Sequence, residues 1–262
     1  MSSTPVITLT TDFGAASPYV AAMKGVILSI NPDARILDLS HVIPPQDIRH
    51  AAYFLAGCTG YFPAGTIHVC VVDPGVGSDR AGLLAAAGGR YFLGPDNGVF
   101  TRVLRASAGA TTCKLTNPKY WLPAVSNTFH GRDVFAPVAA HLSLGVSRHE
   151  LAAEDLAPVE LPTRTAVTYG GVWEGEVQFA DDFGNLITNI PAAKLKTLPV
   201  KVSIAEQAAR PIPWVRTYSE AGPGELVCLF SSDGFFEIAD VNGNAARRLG
   251  VGPGAPVRVE PA

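Results

Sequence analysis

The stretch Ile67-His-Val-Cys-Val-Val72-Asp73-Pro-Gly-Val-Gly77 decides the fold. All but one of its first six residues are apolar, the short continuous run expected of a strand buried on both faces of a parallel sheet. An acidic, glycine-rich turn follows at once. In open α/β sheets ligands bind beyond the carboxyl ends of the strands, so the turn holding Asp73 stands where function is expected.

The chain around this stretch alternates strands and helices. Val6–Thr10 reads as a strand. Ser17-Pro18 offers an N-cap and a first-turn proline to a helix carrying Tyr19, Val20, Met23, Val26, Ile27 and Ile30 and stopping at Asn31-Pro32. Ile36–Leu39 reads as a strand, and Asp47–Cys58 as a helix with Ile48, Ala52 and Leu55 on one face. Tyr91–Leu93 reads as a further strand and Phe100–Leu104 as a short helix. Val134–Leu144 reads as an apolar helix despite Pro137. This alternation predicts an α/β layered domain with a mainly parallel sheet over residues 1–163. Beyond it, Val172–Phe179, Leu186–Asn189, Lys201–Ile204, Glu225–Phe230 and Pro256–Val259 read as short strands punctuated by Gly, Pro and Asn. Little before Asn244 is helical, which predicts a smaller β domain over residues 170–262, with the boundary between Glu160 and Gly171.

Composition narrows the function classes. The 262 residues are 47% hydrophobic and 16% charged, too apolar for a disordered chain and enough for a sizeable core. Twenty basic residues against 23 acidic ones give a net charge of −3, and the Lys and Arg are scattered, so no nucleic-acid or anionic-membrane partner is expected. No apolar run reaches the ~18 residues of a membrane span. Met1-Ser-Ser-Thr-Pro lacks the basic start and apolar stretch of a signal peptide. Cys58, Cys70, Cys113 and Cys228 are far apart, which fits free thiols in a reducing cytoplasm and not a zinc site.

Four polar clusters fall at strand or helix ends. Thr10-Thr11-Asp12-Phe13-Gly14 follows the first strand and offers a carboxylate to a ribose diol, to a metal, or to its own turn. In the turn after Val72, Asp73 and Arg80 can pair across the loop. Its GxG lacks the further glycine or the GK[ST] of a nucleotide loop, and its glycines can let the backbone approach a ligand or simply turn. Asn127-Thr-Phe-His130-Gly-Arg-Asp133 precedes a helix. Asp12, His41, Asp73, His130 and Asp133 could also be assembled into a metal hydrolase site, but no ligand-spacing motif supports it. The last cluster, Asp181-Asp-Phe183-Gly-Asn185, is matched by Ser231-Ser-Asp-Gly-Phe-Phe-Glu237 and Asn242-Gly-Asn244-Ala245-Ala246. These fit hairpin turns, or an aromatic ring and amides around an adenine.

Taken in order, Thr11-Asp-Phe-Gly14, Asp73-Pro-Gly-Val-Gly77 with Arg80, Gly94-Pro-Asp-Asn-Gly98, Thr128-Phe-His-Gly131, Phe183-Gly-Asn185 and Gly243-Asn-Ala-Ala246 resemble the S-adenosyl-L-methionine (SAM) hydroxide adenosyltransferases. These are SAM hydrolases related to the halide-attaching fluorinase and chlorinase. The resemblance covers Thr10 to Gly250. It implies an N-terminal α/β domain, a C-terminal β-barrel-like domain, and a homotrimer with SAM held between subunits.

It also implies roles. Asp12, with Phe13 beside it, would hold the ribose; Phe183, Asn185, Asn244 and Ala245 the adenine; and Asp181 and Ser232 the methionine part. Asp233 stands where the fluorinase has an arginine after the serine, which leaves the partner of the methionine carboxylate open, and Glu237 would serve the amino group instead. Thr128, Phe129 and Gly131 would line the nucleophile pocket. The halogenases carry tyrosines at the positions of Asp73 and His130, whereas the hydroxide enzymes carry an Asp–Arg–His set matched by Asp73, Arg80 and His130. A carboxylate repels halide but can orient water or take its proton. The resemblance therefore implies hydrolysis of SAM to adenosine and L-methionine, with SAM as substrate and no cofactor or metal. A chlorinase-type halogenase and a non-catalytic SAM or adenosine sensor are the alternatives.

Overall fold

A computed structural model describes residues 5–152, 154–195 and 200–261. The chain separates into two compact units, one ending at Leu161 and one starting at Pro162.

The first unit contains β1 (Val6–Thr11), α1 (Tyr19–Ile30), β2 (Arg35–Ser40), α2 (Ile48–Cys58), β3 (Ile67–Val71), β4 (Gly82–Ala87), β5 (Arg90–Pro95), α3 (Thr101–Arg105), β6 (Thr111–Lys114), α4 (Ala136–Ser143), α5 (Arg148–Leu151) and β7 (Glu154–Asp155). The strands form one sheet in the order β2-β1-β3-β5-β4-β6-β7. β3 is central and buried along its whole length, as its apolar run requires. On one face Ile7, Leu9 and Val69 pack against Met23 and Ile27 of α1 and Val138 of α4. On the other, Cys70, Val72 and Leu83 pack against Ala51 and Leu55 of α2 and Val103 of α3.

The sheet is mixed. β2, β1, β3 and β5 run parallel, and β4, β6 and β7 extend it antiparallel. The alanine-rich β4 gives little strand signal. Its link to β5 is the two-residue turn Gly88-Gly89, both at positive φ (56° and 76°), which is what a tight hairpin demands. Two helix starts also differ from the sequence reading. The Ser17 hydroxyl donates to the Phe13 carbonyl at 2.6 Å and does not cap α1, which begins after Pro18 with no side-chain cap. The expected helix Val134–Leu144 is a π-helical turn, Gly131–Phe135, continuing into α4, so Pro137 falls in the first turn of the α-helix, where its missing N–H is harmless. Asp47 does cap α2, accepting the His50 N–H at 2.8 Å.

The second unit holds β8 (Val167–Tyr169), β9 (Val172–Ala180), β10 (Leu186–Pro191), β11 (Val200–Ile204), β12 (Arg210–Ile212), β13 (Leu226–Phe230), β14 (Phe235–Asp240), α6 (Ala245–Leu249) and β15 (Pro256–Pro261). Antiparallel pairing runs β12-β11-β15-β9-β10-β14-β13, with β8 beside β9. A bridge between Trp214 and Cys228 brings the two ends of this path together, giving the barrel-like form. Val177, Leu186, Phe236, Ile238 and Val259 fill its interior. β8, β12 and β14 are absent from the sequence reading. β14 takes in the Phe-Phe-Glu237 half of what reads as a polar cluster. All four cysteines are free. Among the described residues no helix is long and apolar enough to cross a membrane.

His68 on β3 is fully buried, 2.7 Å from the Thr8 hydroxyl at Nδ1 and stacked on Phe92. Burial, helped by the charge of Arg90, pushes its pKa down to about 4. A folded-state value below the unfolded ~6.5 means that stability is fully present above pH 6.5 and falls as pH drops toward 4. Between pH 7 and pH 5 urea unfolding is expected to lose about 2 kcal/mol from this group. His68→Gln should remove that part of the difference; an identical pH dependence in both proteins would contradict it.

Candidate functional site

Three chain segments meet at the carboxyl end of the parallel half-sheet: the turn after β1, the turn after β3 and the loop entering the π-helical turn. They enclose a cavity of about 280 Å³ lined by Asp12, Phe13, Gln46, Val71, Asp73, Thr128, Phe129, His130 and Gly131, among others. In the turn after β3 the Asp73 and Arg80 side chains are only 5% and 10% exposed. The guanidinium grips the carboxylate with both prongs, Nε to Oδ1 at 2.9 Å and Nη2 to Oδ2. The same Nη2 donates to His130 Nδ1 at 2.9 Å. Arg80 also lies over the Phe135 ring, 5.5 Å from its centroid. The three residues singled out as the Asp–Arg–His set are thus one connected group.

The donor inventory settles the form of His130. A guanidinium only donates, so Nδ1 accepts and the proton of the neutral ring sits on Nε2. Burial and the Arg80 charge both hold its pKa below the usual histidine value, against the opposing pull of Asp73 and Asp133. His130 therefore stands neutral at pH 7, with an N–H to offer and its acceptor nitrogen occupied.

The loop carrying Thr128 and His130 is fastened from behind. Asp133, fully buried, takes a two-pronged contact from Arg132 (2.6 and 3.1 Å) and the Ser126 N–H at 2.8 Å, which hold its pKa below the usual carboxylate range despite burial. Arg132 in turn covers Phe129, 5.0 Å from its centroid. Gly77 brings the loops carrying Asp73 and His130 together. It sits at φ +80°, and a Cβ there would lie 2.3 Å from the Asn127 carbonyl oxygen. Of the two readings of this glycine, ligand approach or a simple turn, neither includes the neighbouring loop that it admits. A Cβ on Gly131 would meet Val71, Met23 and Phe129 at 3.2–3.3 Å, so this wall has little slack.

Asp12 uses one oxygen, Oδ2, to accept the Gln46 N–H at 2.8 Å, leaving Oδ1 for a ligand. Gln46, which the sequence reading misses, lines the cavity with a backbone at φ +65°, uncommon for a side chain of its kind. No feature of Pro-Pro-Gln46-Asp marks it. The segment is further held by Gly14 N–H to the His41 carbonyl (2.7 Å) and by Thr11 Oγ1 against His41 Nδ1 (3.0 Å). His41 Nε2 lies 3.0 Å from Asp38. Asp12, His41 and Asp133 are each held by partners of their own, while Asp73 and His130 share Arg80, so the five do not converge on one point. Among the described residues no group of three or more His, Cys, Asp or Glu is placed to hold a metal ion.

In the second unit, the loop from β9 to β10 gathers several of the remaining expected residues. Asp181 accepts from Asn185 twice, from its N–H at 2.8 Å and its Nδ2 at 2.9 Å. The carboxamide oxygen of Asn185 is left for a ligand. Gly184, at φ +84°, lies where a Cβ would overlap the Asn244 side chain, and its carbonyl accepts the Ala246 N–H at 2.9 Å. Phe183, Asn185, Asn244 and the buried Ala245 are thus neighbours, with Asn244 capping α6 through the Arg247 N–H. The Phe183 ring is 77% exposed within this unit. Glu237 is buried, and burial raises its pKa, with Asp181 and Asp233 adding to the rise. The hydroxyl of Tyr218, which the sequence reading omits, donates to it at 2.6 Å. Ser232 is exposed in the turn between β13 and β14.

Residues 7–152 match the model of the SAM hydroxide adenosyltransferase N-terminal domain, and residues 175–258 that of its C-terminal domain. The chain belongs to the SAM hydroxide adenosyltransferase family. An (R)-S-adenosyl-L-methionine hydrolase of Salinispora arenicola is 41% identical, with 99% of each chain covered. A fluorinase of an Actinoplanes species is 26% identical over 90% of each chain. The crystal structure of an uncharacterized conserved protein from Thermotoga maritima superimposes with a TM-score of 0.90 at 34% identity, covering 97% of this chain and all of the other.

Gly77→Ala should separate the two loops, since it combines a left-handed backbone that costs an alanine ~1–2 kcal/mol with a steric overlap. The expected result is a lower Tm together with loss of the Arg80–His130 contact, seen as an altered His130 imidazole signal by NMR. An unchanged signal would mean that the loops do not depend on this approach.

Proposed function

We propose that this chain hydrolyses SAM to adenosine and L-methionine. The reading rests on family membership, on the activity named for its 41% identical relative, and above all on Asp73 and His130, which line the cavity and are joined through the buried Arg80 side chain. A carboxylate in that place opposes a halide and suits water.

The water oxygen attacks the 5′ carbon in line with the sulfur. The new O–C bond forms as the C–S bond breaks, and sulfur keeps the electron pair as a neutral thioether. The leaving group thus needs no acid. Asp73 takes the proton and passes it to solvent: each of its oxygens keeps a second lone pair beside the Arg80 contact, whereas the single acceptor nitrogen of His130 is occupied. His130 Nε2–H and the Arg80 charge hold the developing hydroxide. Such proton removal is worth ~100- to 10,000-fold, and fixing the water in line adds to it.

Asp12 Oδ1 serves the ribose hydroxyls, with Phe13 beside it, and Thr128, Phe129 and Gly131 wall the water site. Phe183 stacks on adenine, Asn185 Oδ1 accepts from its amino group, and Asn244 and Ala245 complete that pocket. Asp181, Ser232 and Glu237 serve the methionine part. The exposed Phe183 ring supports a homotrimer in which a neighbouring subunit completes each site. The four free thiols support a cytoplasmic location. The mechanism calls on no cofactor, and we divide the chain into an N-terminal domain over 1–163 and a C-terminal domain over 170–262.

Purified protein given SAM, chloride and EDTA in labelled water should release methionine and adenosine carrying the label at the 5′ oxygen. A 5′-halo-5′-deoxyadenosine would move the chain to the halogenases, and retention of SAM without product would make it a sensor. His130→Ala and Arg80→Ala should each lower turnover ~100-fold or more while SAM still binds. Since the neutral ring is the working form and its pKa is depressed, kcat/KM should stay level from pH 8 to 6.5 and fall only in more acid solution. A midpoint at or above 6.5 would reject this role for His130.

A further inference from the structure

The turn Gly94-Pro-Asp-Asn-Gly98 takes no part in the chemistry above, yet it meets the catalytic strand at its last residues. The ladder between β3 and β5 covers only Ile67–Val69 opposite Tyr91–Leu93, and that between β3 and β1 ends at the pair Thr11 and Val71. Val72 lies past both ladders and is fully buried, so its carbonyl needs a donor from elsewhere. Asn97 supplies it, Nδ2 to O at 2.9 Å. The other end of the same carboxamide accepts the Val99 N–H at 3.2 Å, which fixes the side chain's orientation. Gly94, near the end of β5, keeps that strand close to β3 just past the ladder: a Cβ there would lie 2.3 Å from the Cys70 carbonyl oxygen.

We propose that Asn97 is a positioning residue for the catalytic carboxylate: it replaces the missing strand partner at Val72 and thereby sets the peptide from which Asp73 projects. The proposal rests on the role given to Asp73 above. Rotation of the Val72–Asp73 peptide moves the carboxylate, with it Arg80, and through Arg80 the Nδ1 contact of His130. Asp96, the neighbouring residue, offers an internal control. It is also buried, but it accepts the Val159 N–H at 2.8 Å, away from β3.

Asn97→Asp keeps the shape and sets an oxygen against the Val72 carbonyl, so the bond becomes a repulsion. Asn97→Ser, which only removes the donor, serves if the first variant does not fold. In either, kcat for SAM is expected to fall ~10- to 100-fold, the range a displacement of about 1 Å can produce. The Kd for SAM should change less than about threefold, because Asp12 and the adenine contacts are untouched. Asp96→Asn should lower Tm while leaving kcat unchanged. A fall in Tm with kcat intact in both Asn97 variants would overturn the proposal, as would equal losses in Asp96→Asn. If the wild-type protein releases no adenosine, the hydrolase reading fails by itself. The positioning role is then read from the His130 imidazole by NMR. Asn97→Ser should shift that signal and Asp96→Asn should not, and the reverse would reject it.

Discussion

The pair of Asp73 and Arg80 is the contact on which the site depends. A carboxylate and a guanidinium at 5% and 10% exposure are costly to desolvate, and only two-pronged geometry and further hydrogen bonds offset that cost. The structure supplies both. The sheet buries the strand leading to Asp73, Phe135 shields the face of Arg80, and His130 takes the remaining Nη2 proton. Removing either charged partner would leave the other buried and uncompensated. The group is therefore held in one arrangement in the protein alone, the preorganisation that the proposed stabilisation of a hydroxide would draw on.

Pairing the two charged residues also divides the chemistry. Had His130 faced a carboxylate directly, its ring would have gained a proton and become an acid. Facing Arg80, it is neutral and donates through the far nitrogen. The same three residue types in a different order of contact would make a different site. This is why order and spacing along the chain could name the group without saying which member takes the proton.

Much of the fold was legible because periodicity and burial agree. β3, α1 and α2 follow their apolar patterns closely. The antiparallel half of the sheet was not, since β4 is built of glycine, leucine and alanine with no alternation, and its strand character comes from its neighbours. In the site, Asp12, Asp73, Arg80 and His130 stood out as polar residues at strand or helix ends. Gln46 did not, because its contribution is a backbone N–H and any residue has one. Gly77 was read as open to a ligand or as part of a simple turn, and the close approach of the Asn127 carbonyl was not foreseen. Backbone contacts between distant loops leave no signature in residue type beyond the presence of glycine.

The π-helical turn at Gly131–Phe135 adds a last constraint, on the length of the chain. Such a turn holds one more residue than an α-helical turn in the same span. Losing a single residue there would let the helix run on regularly, and everything upstream would rotate by about 100° about the helix axis. His130 would swing away from Arg80 although every named side chain was still present. This segment is thus more permissive of replacement than of shortening, and the phase of the helix is itself part of the candidate site.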